Sequence, residues 1–403
     1  MFQALKAGKS RYRYDFPVAI ICQYAIILSY KSPDEGSISY IEASCPENLE
    51  KEGIYMSLFE NKKIAVVGLG GVGGYIGALL ADTYPHVSFV ARGARKKAID
   101  EHGLILHSDY RGERIVNPEK TVESAEDLEI QDYIFICVKN YSLQDACLSM
   151  KNCVGDHTVI VPVMNGADPA DRVRGYLSHG TVIDSLIYIV AFANADFSVT
   201  QQDQFANLHV GIQNASEAQW EIILSVSRLL NGAGIDCEAD RDIQAEIWKK
   251  YILNCAYNVE TALYDNTIGQ LRSDPKKAAE YEALVEEAYQ VALAKGIHVE
   301  PKHRDAILHR FYYELADNAT SSLQRDVNAG RQTELETFSG YIVKNQNGFI
   351  SRLRYPSACT DSWVKSAIKM ERREQNETAA GLSEKTSCDH NTGTSFQNAG
   401  SYV

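Results

Sequence analysis

Three polar side chains in the second half of the sequence are spaced so that they could act together. Lys250, Asn254 and Asn258 are four residues apart in a mainly apolar segment, residues 247–259. On a helix they share one face. Burying an ammonium and two amides without partners is costly, so the stripe faces a polar cavity, matched partners or, as the alternative, solvent. In a cavity, a lysine ammonium can stabilise charge that develops on a carbonyl oxygen and deliver a proton to it.

A second polar cluster follows at residues 321–336 and contains Ser322, Asp326 and Glu334. By itself such a cluster is usually a solvated helix surface. A buried Glu334, however, could meet Lys250. Burial would also lower the lysine pKa from about 10.4 toward a value useful for proton transfer.

A glycine-rich segment predicts a site for a dinucleotide. Gly68, Gly70 and Gly73 have the spacing G-x-G-x-x-G, after a β-branched run at 63–67 and before a helical pattern at 75–84. In this context the first glycine permits a tight turn, the second lets the backbone approach a pyrophosphate, and the third lets helix and strand pack closely. The alternative is a glycine-rich turn without a ligand. The candidate cofactor-binding residues of this loop are Gly68, Leu69, Gly70, Gly71, Val72 and Gly73.

The end of the next predicted strand, residues 87–91, indicates which dinucleotide binds. Arg92 follows this strand, and no carboxylate occurs before Asp100. A carboxylate at this place holds ribose hydroxyls in NAD binders, whereas an arginine fork can bind a 2′-phosphate. We therefore predict NADP(H), with Arg92 as a cofactor ligand. The alternative is that Arg92 and the basic residues at 95–97 are a solvated helix start.

The elements that must position these groups change along the chain. Apolar runs at 63–67, 87–91, 133–138, 158–164 and 182–192 alternate with helical patterns, which predicts a parallel sheet covered by helices. After residue 240 only helical patterns remain. We predict an α/β fold: a Rossmann-type, doubly wound, NADP-binding domain at residues 61–240, followed by an all-helical substrate and catalytic domain at residues 241–345.

Composition limits the classes of partner. A formal net charge of −13 makes nucleic acid an unfavourable partner. Nine cysteines without C-x-x-C or Cys/His ligand spacing favour free thiols in a reducing cytoplasm and predict no metal site.

The two ends of the chain differ from this pattern. Residues 1–60 read as a non-core extension with a basic start and an apolar run at 16–30, shorter than the roughly 20 residues of a membrane span, so we expect no stable membrane association. Met56 would be a natural start. Residues 346–403 read as a divergent tail, disordered from about residue 371.

From residue 63 to about residue 343 the chain resembles the ketopantoate reductase (2-dehydropantoate 2-reductase) family. The matching motifs stand in the family's order and comprise Gly68 to Gly73, Val138 with Lys139, Asn165 with Gly166, Trp248 to Asn258, Ser322 with Asp326, and Gly330 to Glu334. The resemblance implies the predicted two-domain fold with the active site in the cleft between the domains. It also implies NADPH-dependent reduction of 2-dehydropantoate to (R)-pantoate, on the route to pantothenate and coenzyme A.

The resemblance also assigns roles to residues. Lys250 is implied to be the general acid, and Glu334 to assist the catalytic network and to lie at the cofactor. Lys139 and Asn165 are implied to contact both cofactor and substrate. The implied substrate-binding residues are Lys139, Asn165, Asn254, Asn258 and Ser322.

Two departures from the family pattern affect these expectations. Ile268 stands where the family often has Asn before the glycine at 269, so a substrate contact is lost or replaced. The segment after Val343 matches the family's closing segment poorly. A reductase of another branched 2-keto acid, a catalytically weak NADP-binding regulator and a protein anchored by residues 16–30 stay open as alternatives, and so does a homodimer.

Overall fold

The computed structural model describes residues 19–22, 25–31 and 38–43, and then residues 58–349. The chain divides into two units, Met1–Leu58 and Phe59–Val403. In the first unit, three strands form an antiparallel sheet in the order β1-β2-β3: β1 (Ala19–Cys22), β2 (Ala25–Lys31) and β3 (Ile38–Ala43). The expectations for Met56 and for the tail after residue 349 lie outside the described residues.

The second unit is built on a sheet of six parallel strands: β4 (Ile64–Val67), β5 (Val87–Val90), β8 (Lys120–Val122), β9 (Tyr133–Ile136), β10 (Val159–Pro162) and β11 (Thr181–Val182). Their spatial order is β11-β10-β9-β4-β5-β8. Read from β8 to β11 and numbered along the chain, this is the order 3-2-1-4-5-6, which reverses between β4 and β9. Ligands of such sheets bind outside the carboxyl ends of the strands at this reversal point.

Helices cover both faces of this sheet, because in its central strands β4, β5, β9 and β10 every residue is buried, on either face. On β4, Ile64 and Val66 pack into one core and Ala65 and Val67 into another. The flanking helices are α1 (Gly71–Thr83), α2 (Gly93–His102), α3 (Leu143–Ser149), α4 (Pro169–Tyr176) and α5 (Glu217–Gly232). The predicted α/β fold class is confirmed.

A second sheet contains β6 (Leu104–Ser108), β7 (Arg114–Val116), β12 (Asp184–Ala193), β13 (Val199–Gly211) and β14 (Asp236–Ala239). The apolar run at 182–192, predicted as one strand of the parallel sheet, is divided between two sheets. Its first residue, Val182, ends β11, Ile183 lies between the strands, and residues 184–192 lie in β12, which pairs antiparallel with β13. The first residue of β12, Asp184, is buried, and its carboxylate accepts a hydrogen bond from Arg174 Nη2 at 2.6 Å.

The second lobe is helical: α6 (Ile243–Tyr264), α7 (Ile268–Ser273), α8 (Pro275–Ala294), α9 (Pro301–His309), α10 (Ser322–Asn328) and α11 (Tyr341–Phe349). We call residues 59–239 the α/β lobe and residues 243–349 the helical lobe. Apolar α6 residues such as Trp248 and Ile252 share one core with Ala167 and Leu186 of the α/β lobe. Helix α6 therefore packs against both lobes and can carry polar groups to their boundary.

Candidate active site

The glycine-rich loop connects β4 to α1 at the reversal point of the sheet. Gly68 has φ +92°, and a Cβ on Gly73 would stand 1.9 Å from the Gly68 carbonyl oxygen. Neither position accepts another residue without a change in the backbone. A Cβ on Gly70 would meet no atom within 4 Å, so at this position the backbone is open to a ligand.

The N terminus of α1 completes this loop. Gly70 is the N-cap residue, and no side chain caps the helix. The first N–H groups and the positive end of the helix dipole can therefore receive a phosphate. Leu69 is buried and Val72 is half-buried, so the loop offers backbone rather than long side chains. The residues present fit the pyrophosphate of a dinucleotide.

At the end of β5 the structure adds a carboxylate that sequence reasoning missed. Arg92 is exposed and precedes α2, whose first residue, Gly93, donates its N–H to Glu123 Oε1 at 3.3 Å. Glu123 follows β8, the strand beside β5. No local sequence signal indicated this contact, because Glu123 comes near Gly93 only when β8 pairs with β5.

Lys139 follows β9 and joins two carboxylates of the helical lobe. Its Nζ donates to Asp326 Oδ2 at 2.9 Å and to Glu334 Oε2 at 3.2 Å. Burial alone would lower the pKa of Lys139, but the charges of Glu334 and Asp326 raise it above its ordinary value. Arg331 Nε also donates to Asp326, at 2.9 Å. Lys139 is therefore held as an ammonium at the boundary of the lobes.

Lys250 lies on α6 and reaches into the α/β lobe. Its Nζ donates to Asn165 Oδ1 at 3.1 Å and to the Ile187 carbonyl oxygen at 2.7 Å, and it lies 5.8 Å from the centre of the Tyr188 ring. Burial lowers the pKa of Lys250 to about 8, and the charge of Glu334 opposes this shift. Glu334 acts on Lys250 through its charge, while its carboxylate accepts hydrogen bonds from Lys139 and Asn140.

The other end of the α6 stripe joins α10. Asn258 is 5% exposed; its Nδ2 donates to the Asn254 carbonyl oxygen, and its Oδ1 accepts from Ser322 Oγ, both at 3.3 Å. Asn254 is half-buried between Lys250 and Asn258 along the same helix face. The structure thus brings these three predicted substrate-binding residues together. Ile268 begins α7 and is fully buried, so it presents no polar group to a substrate.

Asn140 and Arg172 also belong to this site, although neither was among the residues predicted from sequence. Asn140 donates to Glu334 and to the Asn165 carbonyl oxygen, and it accepts from Arg172. No local pattern identifies them, because their partners lie 25 to 194 residues away in the chain.

Within residues 58–349 the five cysteines are free thiols. In the part of the chain that the structure describes, no group of three or more His, Cys, Asp or Glu side chains could hold a metal ion.

Both lobes contribute to this arrangement. The glycine-rich loop, Lys139 and Asn165 come from the α/β lobe, and Lys250 and Glu334 come from the helical lobe. The open glycine-rich loop therefore lies on the α/β lobe, which also supplies Asn165 and Ile187, the hydrogen-bond acceptors of Lys250. The described residues thus form a Rossmann-type α/β lobe with an open glycine-rich loop and a helical lobe that carries Lys250, whose pKa is lowered by burial.

Comparison with known proteins identifies the family. Residues 64–214 match the sequence profile of the ketopantoate reductase PanE/ApbA family, and residues 242–346 match the profile of that family's C-terminal part. The chain belongs to the ketopantoate reductase family, which confirms the resemblance. A 2-dehydropantoate 2-reductase of Mesorhizobium japonicum is 26% identical over 299 residues, covering 68% of this chain and 88% of the relative.

Solved structures share the fold. A 2-dehydropantoate 2-reductase from Porphyromonas gingivalis has a TM-score of 0.63 at 26% identity, covering 76% of this chain and 99% of its own. D-mandelate dehydrogenase, solved with NADH and anilino(oxo)acetate, has a TM-score of 0.67 at 18% identity, covering 78% and 99%. A ketopantoate reductase from Staphylococcus aureus, described as dimeric, has a TM-score of 0.63 at 22% identity, covering 78% and 99%. None of the helices that the structure describes has the length and apolar character needed to span a membrane.

Proposed function

We propose that the protein reduces the keto group of a 2-keto acid with NADPH, that 2-dehydropantoate is the substrate and that (R)-pantoate is the product. The observation that carries this proposal is the position of Lys250. Its ammonium has two fixed acceptors and a pKa of about 8, and it shares a helix face with Asn254 and Asn258. In this proposal residues 61–240 bind the cofactor and residues 241–345 complete the substrate site.

Lys250 supplies the proton in the proposed reaction. A bound dihydronicotinamide would supply hydride to the carbonyl carbon, and negative charge would then develop on the carbonyl oxygen. The Lys250 ammonium stabilises that charge and transfers a proton to the oxygen. Asn165 and the Ile187 carbonyl hold the amine in place, and the charge of Glu334 favours its protonated form.

The amide and hydroxyl groups suit a hydroxylated carboxylate. Asn254, Asn258 and Ser322 offer donors and acceptors that can bind the carboxylate and the hydroxyl of 2-dehydropantoate. The Lys139 ammonium, 42% exposed at its side chain, adds a positive charge that attracts both the carboxylate and the cofactor. We assign Lys139 and Asn165 to both ligands, and Glu334 to the cofactor and the catalytic network.

NADPH is the proposed cofactor because Arg92 is exposed at the end of β5, where a 2′-phosphate would lie. Glu123 is the competing feature, since a carboxylate there favours the ribose hydroxyls of NADH. Its hydrogen bond to Gly93 N–H gives it a second role, that of an anion at the start of α2. We expect Arg92→Ala to weaken NADPH binding about 10-fold or more and NADH binding little. Equal losses for the two cofactors would reject Arg92 as the phosphate ligand.

A reductase of another branched 2-keto acid is the second candidate. The polar cluster fixes a carboxylate and a carbonyl better than it fixes an alkyl group, and Ile268 removes one polar position from the family pattern. The presence of Lys250, Asn254 and Glu334 in one arrangement supports an enzyme rather than a catalytically weak NADP-binding regulator.

The test is an NADPH oxidation assay with 2-dehydropantoate and a panel of 2-keto acids. We expect the highest kcat/KM with 2-dehydropantoate, and no turnover with any 2-keto acid would reject the reductase. Lys249→Ala is the matched control for Lys250→Ala, since Lys249 pairs with Glu246 and is not among the proposed ligands. We propose a cytoplasmic location and a homodimer, and light scattering of the purified protein tests the homodimer.

A further inference from the structure

Asn140 contacts three parts of the candidate site at once. Its backbone N and its Nδ2 each donate to Glu334 Oε1 at 2.9 Å, and Nδ2 also donates to the Asn165 carbonyl oxygen at 2.8 Å. The residue is 5% exposed and directly follows Lys139. One buried carboxamide therefore joins the chain after β9, the loop after β10 and the helical lobe.

Arg172 on α4 fixes the orientation of that carboxamide. Its Nη1 donates to Asn140 Oδ1 at 2.9 Å and its Nη2 to the Asn140 carbonyl oxygen at 3.0 Å. A guanidinium can only donate, so the side-chain atom that faces it must be the amide oxygen. The amide nitrogen is then left to face Glu334, whose ionised carboxylate can only accept. A flipped amide would oppose donor to donor at Arg172 and acceptor to acceptor at Glu334.

Glu334 depends on these bonds because it is buried. The residue is 7% exposed, and a carboxylate in such a place needs donors to stay charged. Asn140 supplies both of the bonds to Oε1, and Lys139 supplies the bond to Oε2. The charge of Glu334 in turn raises the pKa of Lys250.

Asn165 is also held by the Asn140 carboxamide, at its backbone carbonyl oxygen. Its side-chain oxygen accepts from Lys250, and its backbone carbonyl oxygen accepts from Asn140. A displacement of Asn140 would therefore affect Lys250 in two ways. It would change the charge interaction of Glu334 with Lys250, and it would move Asn165, which accepts a hydrogen bond from Lys250.

We propose that Asn140, oriented by Arg172, is a positioning residue that keeps Glu334 and Asn165 in register with Lys250. Its catalytic consequence rests on the proposed function, whereas its effect on Lys250 can be measured without turnover. Neither Asn140 nor Arg172 needs to touch a substrate for this role, since both act through groups that do.

The kinetic test compares Asn140→Ala and Arg172→Lys with the unaltered full chain. We expect kcat to fall about 100-fold in Asn140→Ala and about 10-fold in Arg172→Lys, because small misplacement of reacting groups has effects of this size. KM for NADPH should change less than about threefold if the cofactor loop is untouched. The alkaline fall in kcat/KM should move to lower pH, because a displaced Glu334 carboxylate raises the Lys250 pKa less.

Arg174→Lys is the matched control. Arg174 lies on the same helix, and its fork holds Asp184 and the Val182 carbonyl oxygen. It makes none of the hydrogen bonds of Asn140, Asn165 or Glu334. We expect Arg174→Lys to lower Tm and to leave the pH dependence of kcat/KM in place, which separates positioning from general stability.

The measurement that needs no turnover is the pH dependence of Lys250 carbamylation by cyanate, read by mass spectrometry and corrected for ionisation of cyanic acid. We expect a midpoint near 8 in the unaltered protein, lower midpoints in Asn140→Ala and Arg172→Lys, and an unchanged midpoint in Arg174→Lys. Shifted midpoints without turnover of any 2-keto acid would support the positioning role and reject the proposed function. Unchanged midpoints in both variants, or in Arg172→Lys alone should Asn140→Ala fail to fold, would overturn the proposal.

Discussion

The two ends of the polar face on α6 are held in different ways. At one end, Lys250 donates to Asn165 and Ile187, which both belong to the α/β lobe. At the other end, Asn258 bonds to Asn254 and Ser322, which belong to the helical lobe. The Lys250 end is therefore formed only when the two lobes meet, whereas the Asn258 end is complete within one lobe.

We infer from this difference that the Lys250 end serves the chemical step and that the Asn258 end serves substrate recognition. A group whose position depends on both lobes suits a step that takes place after the ligands have been enclosed. A group already positioned within one lobe suits the first capture of a carboxylate. Substitutions around Lys250 should therefore lower kcat, and substitutions around Asn258 should raise KM.

The largest effect among the neighbours of Lys250 is expected for Glu334→Gln. This change removes the Glu334 charge, which holds Lys139 and keeps the pKa of Lys250 higher than burial alone would leave it. We expect kcat to fall about 100-fold. Steady-state rates with saturating NADPH measure it. A fall of less than threefold would contradict a role for the Glu334 charge.

The pH dependence of kcat/KM should follow the Lys250 ammonium. Because the protonated amine is the acid, activity is full below its pKa of about 8 and falls above it, by roughly tenfold per pH unit. Glu334 raises this pKa, so the fall should begin at lower pH in Glu334→Gln. A shift to higher pH would contradict the assignment of Lys250 as the acid.

At the other end of the helix face, Asn258→Ala should act mainly on KM. Loss of one hydrogen bond to a charged substrate corresponds to roughly a 10-fold rise in KM for the 2-keto acid, with kcat changed less than about threefold. Asn266→Ala is the control, since Asn266 accepts from Lys277 beyond the end of α6. Equal effects of the two substitutions would remove the proposed distinction between the ends.

The smallest effect is expected for Tyr251→Phe. The Tyr251 hydroxyl donates to the carbonyl oxygens of Thr337 and Phe338 at 2.8 and 3.0 Å, in the widened helical turn after Glu334. Its loss should destabilise the protein by about 1–3 kcal/mol and lower kcat about twofold, because the turn that carries Glu334 loosens. Tyr84→Phe is the control, since its hydroxyl bonds to the Leu229 carbonyl oxygen in the α/β lobe. Thermal unfolding with parallel rate measurements distinguishes the two.

The parts of the fold that could be predicted from sequence are those set by local periodicity. The glycine-rich loop lies between a strand and a helix as its spacing indicated, and the interval of four residues placed Lys250, Asn254 and Asn258 on one face. The change from strands to helices was also visible, because helix and strand differ in the period of their apolar residues.

The remainder depends on pairing across the chain. The run at 182–192 looked like one strand because its two parts are separated only at Ile183 and differ in the strands that they pair with, β10 and β13. Glu123 reaches Arg92's end of β5 only because β8 pairs with β5. Asn140 and Arg172 have no periodic context, so only the folded chain reveals that they join Glu334 and Asn165.

The central claim is that Lys250 donates the proton, and chemical rescue tests it most directly. Lys250→Ala should lose about 1,000-fold or more in kcat, and added methylamine should restore part of the rate in proportion to its protonated concentration. Lys249→Ala should keep its rate and show no response to the amine. A Lys250→Ala enzyme that retains the unaltered rate would contradict the claim, and so would one whose lost activity no small amine restores.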